Sequence, residues 1–456
     1  MARRCAFVVW FRDLHRWSVG SFVETGWRWP ADTIRPLSRA LTRKVVDVDR
    51  ATTPGDAIRL VTLHFDGEIE LRHESAGESF KGRLFCADHG DVIYSKIDVR
   101  NGAIGIIRDE LGRVCVSSEY PVYAVDPAVA EARYVKMLFR TDVFRRKINS
   151  MISGASGRKR VQPSDLESVE IPLPSLAVQR KIVAAWEAAR KFAAATAAKI
   201  ERLERNIEAR FLADLGLKAP EQATLPKVFA LPWSELQRWS VTFNQLASVA
   251  IDIDDGKFPI ANLGDLAAVS YGIQKCPANR PGQHPPPYLR VANVQRDELD
   301  LREIKYIDVP DKEFANLRLE PGDILFVEGN GSKAELGRCA LWDGEIADCV
   351  HQNHILKVRP DAKLLSDFAM TWFNTDVGKD HFFRSAKTSS GLGTINSSEL
   401  RAAPIPVPAL RVQRQIVERV AKGRDEIAKL KADAKAHADA ASANVEAMIL
   451  GTKSVV

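Results

Sequence analysis

The stretch IPLPSLAVQRKIV, Ile171 to Val183, returns far down the chain as IPVPALRVQRQIV, Ile405 to Val417. Nine of its thirteen positions are identical, at an offset of 405 − 171 = 234 residues. In each copy Pro172 and Pro174, or Pro406 and Pro408, hold the chain extended and bar helix until just beyond them, and each proline restricts its predecessor as well. The motif marks a point where an extended segment becomes a helix, and the chain carries that point twice. Ser175 is expected to cap the first helix, whereas its counterpart Ala409 cannot.

The region before each joint recurs too. LHRWSV (Leu14 to Val19) answers LQRWSV (Leu236 to Val241) at offset 222. IRLVTL (Ile58 to Leu63) matches LRVANV (Leu289 to Val294) at 231, and GDVIYSK (Gly90 to Lys96) matches GDILFVE (Gly322 to Glu328) at 232. SEYPVYAV (Ser118 to Val125) answers QNHILKVR (Gln352 to Arg359) in pattern at 234. The offset climbs slowly and never jumps, so small loop insertions separate two copies of one fold. Solenoid units run about 20–50 residues, far shorter than this period, so the repeat is a domain duplication.

Each half reads as short apolar strands followed by one long helix. The strands are DVIYSKI, AIGII and YPVYAV in the first copy, and DILFVE, CALW and HILKV in the second. The first helix is expected from about Leu176 to Leu215, with Ile182, Trp186, Ala189, Ala193, Thr196, Ile200, Leu203 and Ile207 at alternating spacings of four and three. The second is expected from about Leu410 to Leu450, with Ile416, Val420, Gly423, Ile427, Leu430, Ala434, His437, Ala441 and Met448 at corresponding places. These are coiled-coil seams, and two in one chain most simply pack on each other. Gly423 and His437 weaken the second, glycine costing about 1 kcal/mol in a helix interior. Aligning IEARFL (Ile207 to Leu212) with VEAMIL (Val445 to Leu450) gives 445 − 207 = 238, which predicts a second helix about four residues longer.

The composition, 45% apolar and 27% charged over 456 residues, is that of a soluble globular protein of two or three domains. Its 65 basic and 59 acidic residues give a net charge of +6, which permits nucleic-acid binding without requiring it. No apolar run reaches membrane-spanning length, and CAFVVWF near the N-terminus is cut short by Arg12 and Asp13, so a cytoplasmic protein is expected. The cysteines at 5, 86, 115, 276, 339 and 349 form no CxxC pair and have no histidine at ligand spacing, so reduced thiols and no metal are expected.

This arrangement resembles the DNA specificity subunit of type I restriction–modification systems. The motifs that carry the resemblance are the two P-x-L-x-V-Q-R-x-I-V helix starts (Pro174 to Val183, Pro408 to Val417), LGDLAAVSYGIQK (Leu263 to Lys275), YLRVANV (Tyr288 to Val294) and PGDILFV (Pro321 to Val327). The resemblance implies a mixed α/β fold with two tandem target recognition domains, at 1–170 and 218–403. Each is followed by a long helix, at 171–217 and 404–456, the two pairing as an antiparallel coiled coil. It implies double-stranded DNA as a partner, each domain reading half of a bipartite, asymmetric site. It also implies methyltransferase subunits, in two copies, and a restriction endonuclease/translocase subunit, which do the chemistry. No cofactor is expected on this chain, S-adenosylmethionine belonging to the methyltransferase. Where the second half has LGDLA, the first has IRPLSRAL (Ile34 to Leu41), a departure that weakens the expectation of a matching early strand and helix there.

The chain shows no chemistry of its own. It has no Asn- or Asp-Pro-Pro-aromatic loop to hold a flipped base. GNGSK (Gly329 to Lys333) lacks the spacing of a phosphate-binding loop. Glu303 and Lys305, with Asp297 and Asp300, could be forced into a nuclease pattern but read better as a solvated strand end, and His351 and His354 have no metal-ligand partner at usable spacing.

DNA contact needs amide, guanidinium, hydroxyl and ammonium groups on loops. SKIDVRNG (Ser95 to Gly102) and EGNGSK (Glu328 to Lys333) follow equivalent strands and offer Lys96, Arg100 and Asn101, and Asn330, Ser332 and Lys333. SGASGRKR (Ser153 to Arg160) and KTSSGLGT (Lys387 to Thr394) lie just before each Pro-x-Pro and offer Arg158, Lys159 and Arg160, and Lys387, Ser389 and Thr394. Tyr271, Gln274 and Lys275 add an aromatic beside an amide and a cation. Each loop alone reads as solvated surface; their matched places in both copies argue for an interface. Gln179, Arg180, Gln413 and Arg414, in the first turn of each helix, are candidate partner-docking residues. The rival functions are a single-chain methyltransferase or nuclease and a protein-binding scaffold, the latter needing no matched polar loops.

Overall fold

The computed structural model describes residues 26–49, 51, 53–54, 58–72, 80–150, 160–218, 252–276, 285–330, 335–385, 387–389 and 392–455, with isolated positions at 228, 230, 232–233, 241, 244 and 281. The chain forms two compact units. One holds the described residues up to Thr196 together with Ala432–Val456, the other Ala197–Lys431.

In the first unit, β1 (Ile34–Pro36) and β2 (Leu41–Lys44) are followed by β3 (Val61–Leu63), β4 (Ile69–Leu71), β5 (Leu84–Ala87), β6 (Val92–Tyr94), β7 (Ile104–Ile106), β8 (Val114–Ser117) and β9 (Val122–Val125). Helices α1 (Ala132–Arg140), α2 (Asp142–Ser150) and α3 (Pro163–Glu167) lead to β10 (Glu170–Pro172) and the long helix α4 (Leu176–Asp214). The central sheet is antiparallel, in the order β2-β9-β6-β7. Central strand β6 is buried throughout because both faces are covered. Val92 and Tyr94 point into a core with Tyr134, Val135 and Leu138 of α1, while Ile93 points the other way, into a second core with Val61, Ile69 and Val116. Burying each such side chain fully contributes about 1.5–3 kcal/mol.

The second unit repeats this plan with β11 (Ile260–Asn262), β12 (Ala267–Tyr271), β13 (Pro287–Leu289), β14 (Lys305–Tyr306), β15 (Asp323–Val327), β16 (Gly329–Asn330), β17 (Cys339–Trp342), β18 (Val350–His351) and β19 (Ile355–Pro360). A short helix α5 (Asp311–Leu317) precedes β15. Helices α6 (Ser366–Asn374) and α7 (Asp376–Ser385), strands β20 (Lys387–Ser389) and β21 (Leu392–Thr394), helix α8 (Ser397–Arg401) and β22 (Pro404–Pro406) lead to α9 (Leu410–Leu450). Its sheet order β12-β19-β15-β17 matches the first. Ile324 and Phe326 of β15 pack on Phe368, Phe373 and Phe382, and Leu325 and Val327 face the opposite core with Ala340 and Trp342.

IRPLSRAL of the first copy builds the same elements as its counterpart despite its different residues. Both copies run strand, one-turn 3-10 helix, strand: β1, Leu37–Arg39, β2 in one, and β11, Leu263–Asp265, β12 in the other. Backbone pairing needs no particular side chains, so the departure in sequence leaves the architecture intact. Strand β10 closes on β1 with Pro172 opposite Ile34, and β22 on β11 with Pro406 opposite Ile260.

The long helices pack antiparallel, seen separately in each unit. In the first, Ile182, Val183 and Trp186 near the start of α4 share a core with Val445 and Ile449 near the end of α9. In the second, Phe211 and Ile207 near the end of α4 meet Ile416 and Val420 near the start of α9. Gly423 is not a weak point: a Cβ there would lie 2.7 Å from Ile207 Cδ1, so its bareness lets the helices approach. His437 stacks its ring 4.0 Å from that of Phe192, a residue outside the expected seam. The four-residue excess expected for the second helix is corrected to one or two. The helices hold 39 and 41 residues, and the left-handed glycines beyond their ends, Gly216 and Gly451, lie 235 apart. Each helix end accepts a backbone N–H from the segment ahead of β11 or β1: Lys257 N–H donates to the Leu215 carbonyl, and Arg28 N–H to that of Leu450.

Candidate nucleic-acid interface

The joints are built by one buried amide. Gln179 is fully buried; its Nε2 donates to the carbonyls of Val129 (2.9 Å) and Pro174 (2.8 Å), and its Oε1 accepts the Glu131 N–H at 2.9 Å. Gln413 does the same with Lys363 (3.0 Å), Pro408 (2.8 Å) and Leu365 (2.9 Å). Every partner is displaced by 234 residues, as 363 − 129 and 408 − 174 both show. The two glutamines therefore latch their helix to the loop before α1 or α6, and of the four helix-start candidates only Arg180 and Arg414 face solvent. The backbone turn is the same at Ser175 and Ala409, each carbonyl accepting from the residues three and four ahead, so a hydroxyl is not what starts these helices.

In the first unit the fold gathers two of the candidate loops. Lys96 Nζ donates to the Ser118 carbonyl at 2.6 Å, and its own carbonyl accepts the Val161 N–H. Arg160 pairs with Glu119 at 3.3 Å, so Lys96 and Arg160 lie on one shelf formed by Ser118 and Glu119. Asn101 is exposed and Arg100 half-buried, its Nε buried without a hydrogen-bond partner. The loop turns at Gly102, φ +105°, where a Cβ would lie 2.1 Å from the Phe65 carbonyl. Arg140, which no sequence motif marked, holds this turn: its guanidinium donates to the carbonyls of Phe65, Gly102 and Ile104. Burial pushes the Arg140 pKa down from its ordinary value. Arg158 and Lys159 lie outside the described residues.

In the second unit KTSSGLGT is a hairpin rather than a loop. Strands β20 and β21 pair with each other, and β21 pairs with β16, so Asn330, Lys387, Ser389 and Thr394 lie on one three-stranded sheet. Gly329 and Asn330 are extended, paired in the sheet with Thr394 and Gly393. Ser332 and Lys333 lie outside the described residues. Tyr271 Oη accepts the Ser397 N–H at 3.0 Å, three residues beyond Thr394, while Gln274 and Lys275 are exposed. His354 meets Glu328 at 2.6 Å. His351 is fully buried, and burial first of all lowers its pKa to about 4.

The carboxylates of the forced nuclease pattern are spent on cations. Glu303 meets Lys305 at 2.7 Å and Arg290 at 3.3 Å, and Asp297 meets Arg424 at 2.6 Å. Asp300 is bridged by Arg302, whose hydrogen bonds hold its pKa at about 2. Among the described residues no cluster of His, Cys, Asp and Glu could hold a metal ion, and no helix is long and apolar enough to cross a membrane.

No family model matches the chain. Curated proteins do, among them the type I restriction enzyme EcoKI specificity subunit of Escherichia coli K12, 22% identical over 292 residues, and the StySPI specificity subunit of Salmonella potsdam, 26% identical over 290. Each match covers 63% of this chain and 57% of the relative, so it spans little more than half of those proteins. A solved chain described under complex assembly and conformational transition of the type I R-M system has the same fold, with a TM-score of 0.56 at 17% identity over 93% of this chain and 96% of that one. The curated relatives of this chain are thus specificity subunits of type I restriction enzymes, the same resemblance that its repeated motifs carry.

Proposed function

We propose that this chain is the sequence-specific DNA-binding subunit of a type I restriction–modification complex. Each unit reads one half of a bipartite, asymmetric site, the first through the Lys96–Arg160 shelf and the second through the β16-β21-β20 sheet with Tyr271, Gln274 and Lys275. The observation that carries this reading is the duplication itself. Two copies of one fold sit on near-identical buried joints, yet carry different polar residues at equivalent places in the sequence, as two half-sites of different sequence require. Methyltransferase subunits dock on the helices, with Arg180 and Arg414 among the exposed contacts, and bring S-adenosylmethionine and the catalytic loop. The chain alone neither methylates nor cleaves.

The test is to express the chain with a methyltransferase subunit of a type I system and map methylated bases genome-wide. One split motif with a fixed gap is the expected result. Methyl transfer by the chain alone, or methylation without a split motif, would overturn the proposal.

A further inference from the structure

Strands β5 and β8 place Cys86 directly opposite Cys115. Directly opposed residues on antiparallel strands project from the same face, and the hydrogen bonds show which kind of pair this is. Cys86 N–H donates away from β8, to the Val46 carbonyl at 2.8 Å, and Cys115 N–H donates away from β5, to the Arg59 carbonyl at 2.8 Å. The two cysteines therefore form a non-hydrogen-bonded pair, the close kind, with Cα atoms about 4.5 Å apart; a disulfide spans about 4.4–6.8 Å. Cys115 is buried beside Leu60 and Leu84, which pushes its thiol pKa up, so the half-buried Cys86 is the sulfur that an oxidant meets first. The other two buried cysteines lack this arrangement: Cys339 and Cys349 belong to separate cores.

We infer that Cys86 and Cys115 are a modification site, a dithiol that a peroxide converts to a reversible cross-strand disulfide in the first unit. The peroxide transfers one oxygen to the more accessible Cys86 sulfur, giving a sulfenic acid and releasing one water. The Cys115 sulfur then attacks that sulfur; the S–S bond forms, the S–O bond breaks, and the departing hydroxide leaves with the Cys115 proton as a second water. Two electrons pass from the thiol pair to one peroxide. The bond sits at the short end of disulfide geometry, so a thiol reductant reopens it readily. It ties down strand β8, which runs straight into Ser118 and Glu119, the partners of Lys96 and Arg160, so oxidation acts on the first unit's rim and leaves the second untouched.

The experiment treats the native full-length chain with dilute hydrogen peroxide, blocks remaining thiols with N-ethylmaleimide, and digests with trypsin without reductant. The expected product is a linked peptide joining Leu84–Lys96 to Val114–Arg133, two hydrogens lighter than the sum of its parts and abolished by dithiothreitol. Cys86→Ser removes the linked peptide and leaves Cys115 as an intact thiol. The inference is overturned if both cysteines emerge alkylated under conditions that oxidise the exposed Cys276, if Cys86 goes on to sulfinic acid unlinked, or if it pairs with any other cysteine.

Discussion

The two units agree at their joints and differ at their rims. The Gln179 and Gln413 latches make the same three hydrogen bonds at lengths within 0.1 Å of each other. The grooves beside α1 and α6 have instead drifted apart in charge. Arg133, Lys136, Arg140 and Arg190 face Asp142 and Glu446 in the first, a cleft of about 530 Å³. In the second, about 760 Å³, the acids Glu201, Glu204, Glu208 and Asp376 stand among Arg205, Lys379 and Arg424. Burial of Glu208 there raises its pKa from the ordinary value. A buried amide whose partners would be stranded without it is held fixed by that cost, while exposed charges can change at a few tenths of a kcal/mol each.

Exchanging the rims should have the largest effect. Replacing the segment between Ile171–Val183 and Ile405–Val417 with that of a relative should change one half-site and keep the other, with affinity for the original site falling by at least about 10³-fold. A folded hybrid that keeps both half-sites in a methylation map would show that the joints are misplaced.

The latches come next. Gln179→Ala and Gln413→Ala each strand one N–H and two carbonyls in a buried site and should each cost about 3–4 kcal/mol in denaturant unfolding. Equal losses mark equivalent joints; a loss confined to one would end the equivalence.

The units should separate under acid. His351 is buried neutral in the second, and the first buries no histidine among its described residues. Its pKa is lowered when folded, so below about 6.5 the unfolded chain takes up the proton first. The second unit should lose about 3 kcal/mol as pH falls from 6.5 to about 4, with no further loss from this group below that. His351→Gln should flatten that part of the stability profile, read from unfolding midpoints against pH.

Smaller effects are expected at the helix seam and at the first unit's basic loop. Gly423→Leu should cost about 1–3 kcal/mol by overpacking against Ile207, whereas a leucine at an exposed α9 position such as Lys435 should cost far less. Replacing Arg158, Lys159 and Arg160 together by Ala should flatten the log–log salt dependence of DNA binding by about 0.9 for each phosphate that the loop no longer neutralises. An unchanged slope would remove that loop from the DNA.

The duplication, the two joints, the central strands and both long helices were legible in the sequence, because apolar periodicity and proline chemistry are local. Periodicity also marked Gly423 as a seam position, but its value as a point of close approach depends on Ile207, 216 residues away. The second copy's two polar stretches could be named but not joined; only the pairing of β16 with β21 sets them on one sheet. The repeat LHRWSV/LQRWSV falls outside the described residues except for Val241. Gln179 and Gln413 read as surface residues on a helix start because nothing local reveals that the backbone groups needing an acceptor and a donor lie 48–50 residues upstream. The facing of Cys86 and Cys115 likewise depends on a strand register set by the cores on either side. Sequence alone determined the central strands and the two long helices; tertiary structure decided which polar groups each segment must satisfy, because a buried donor or acceptor takes whatever partner the packing brings within about 3 Å.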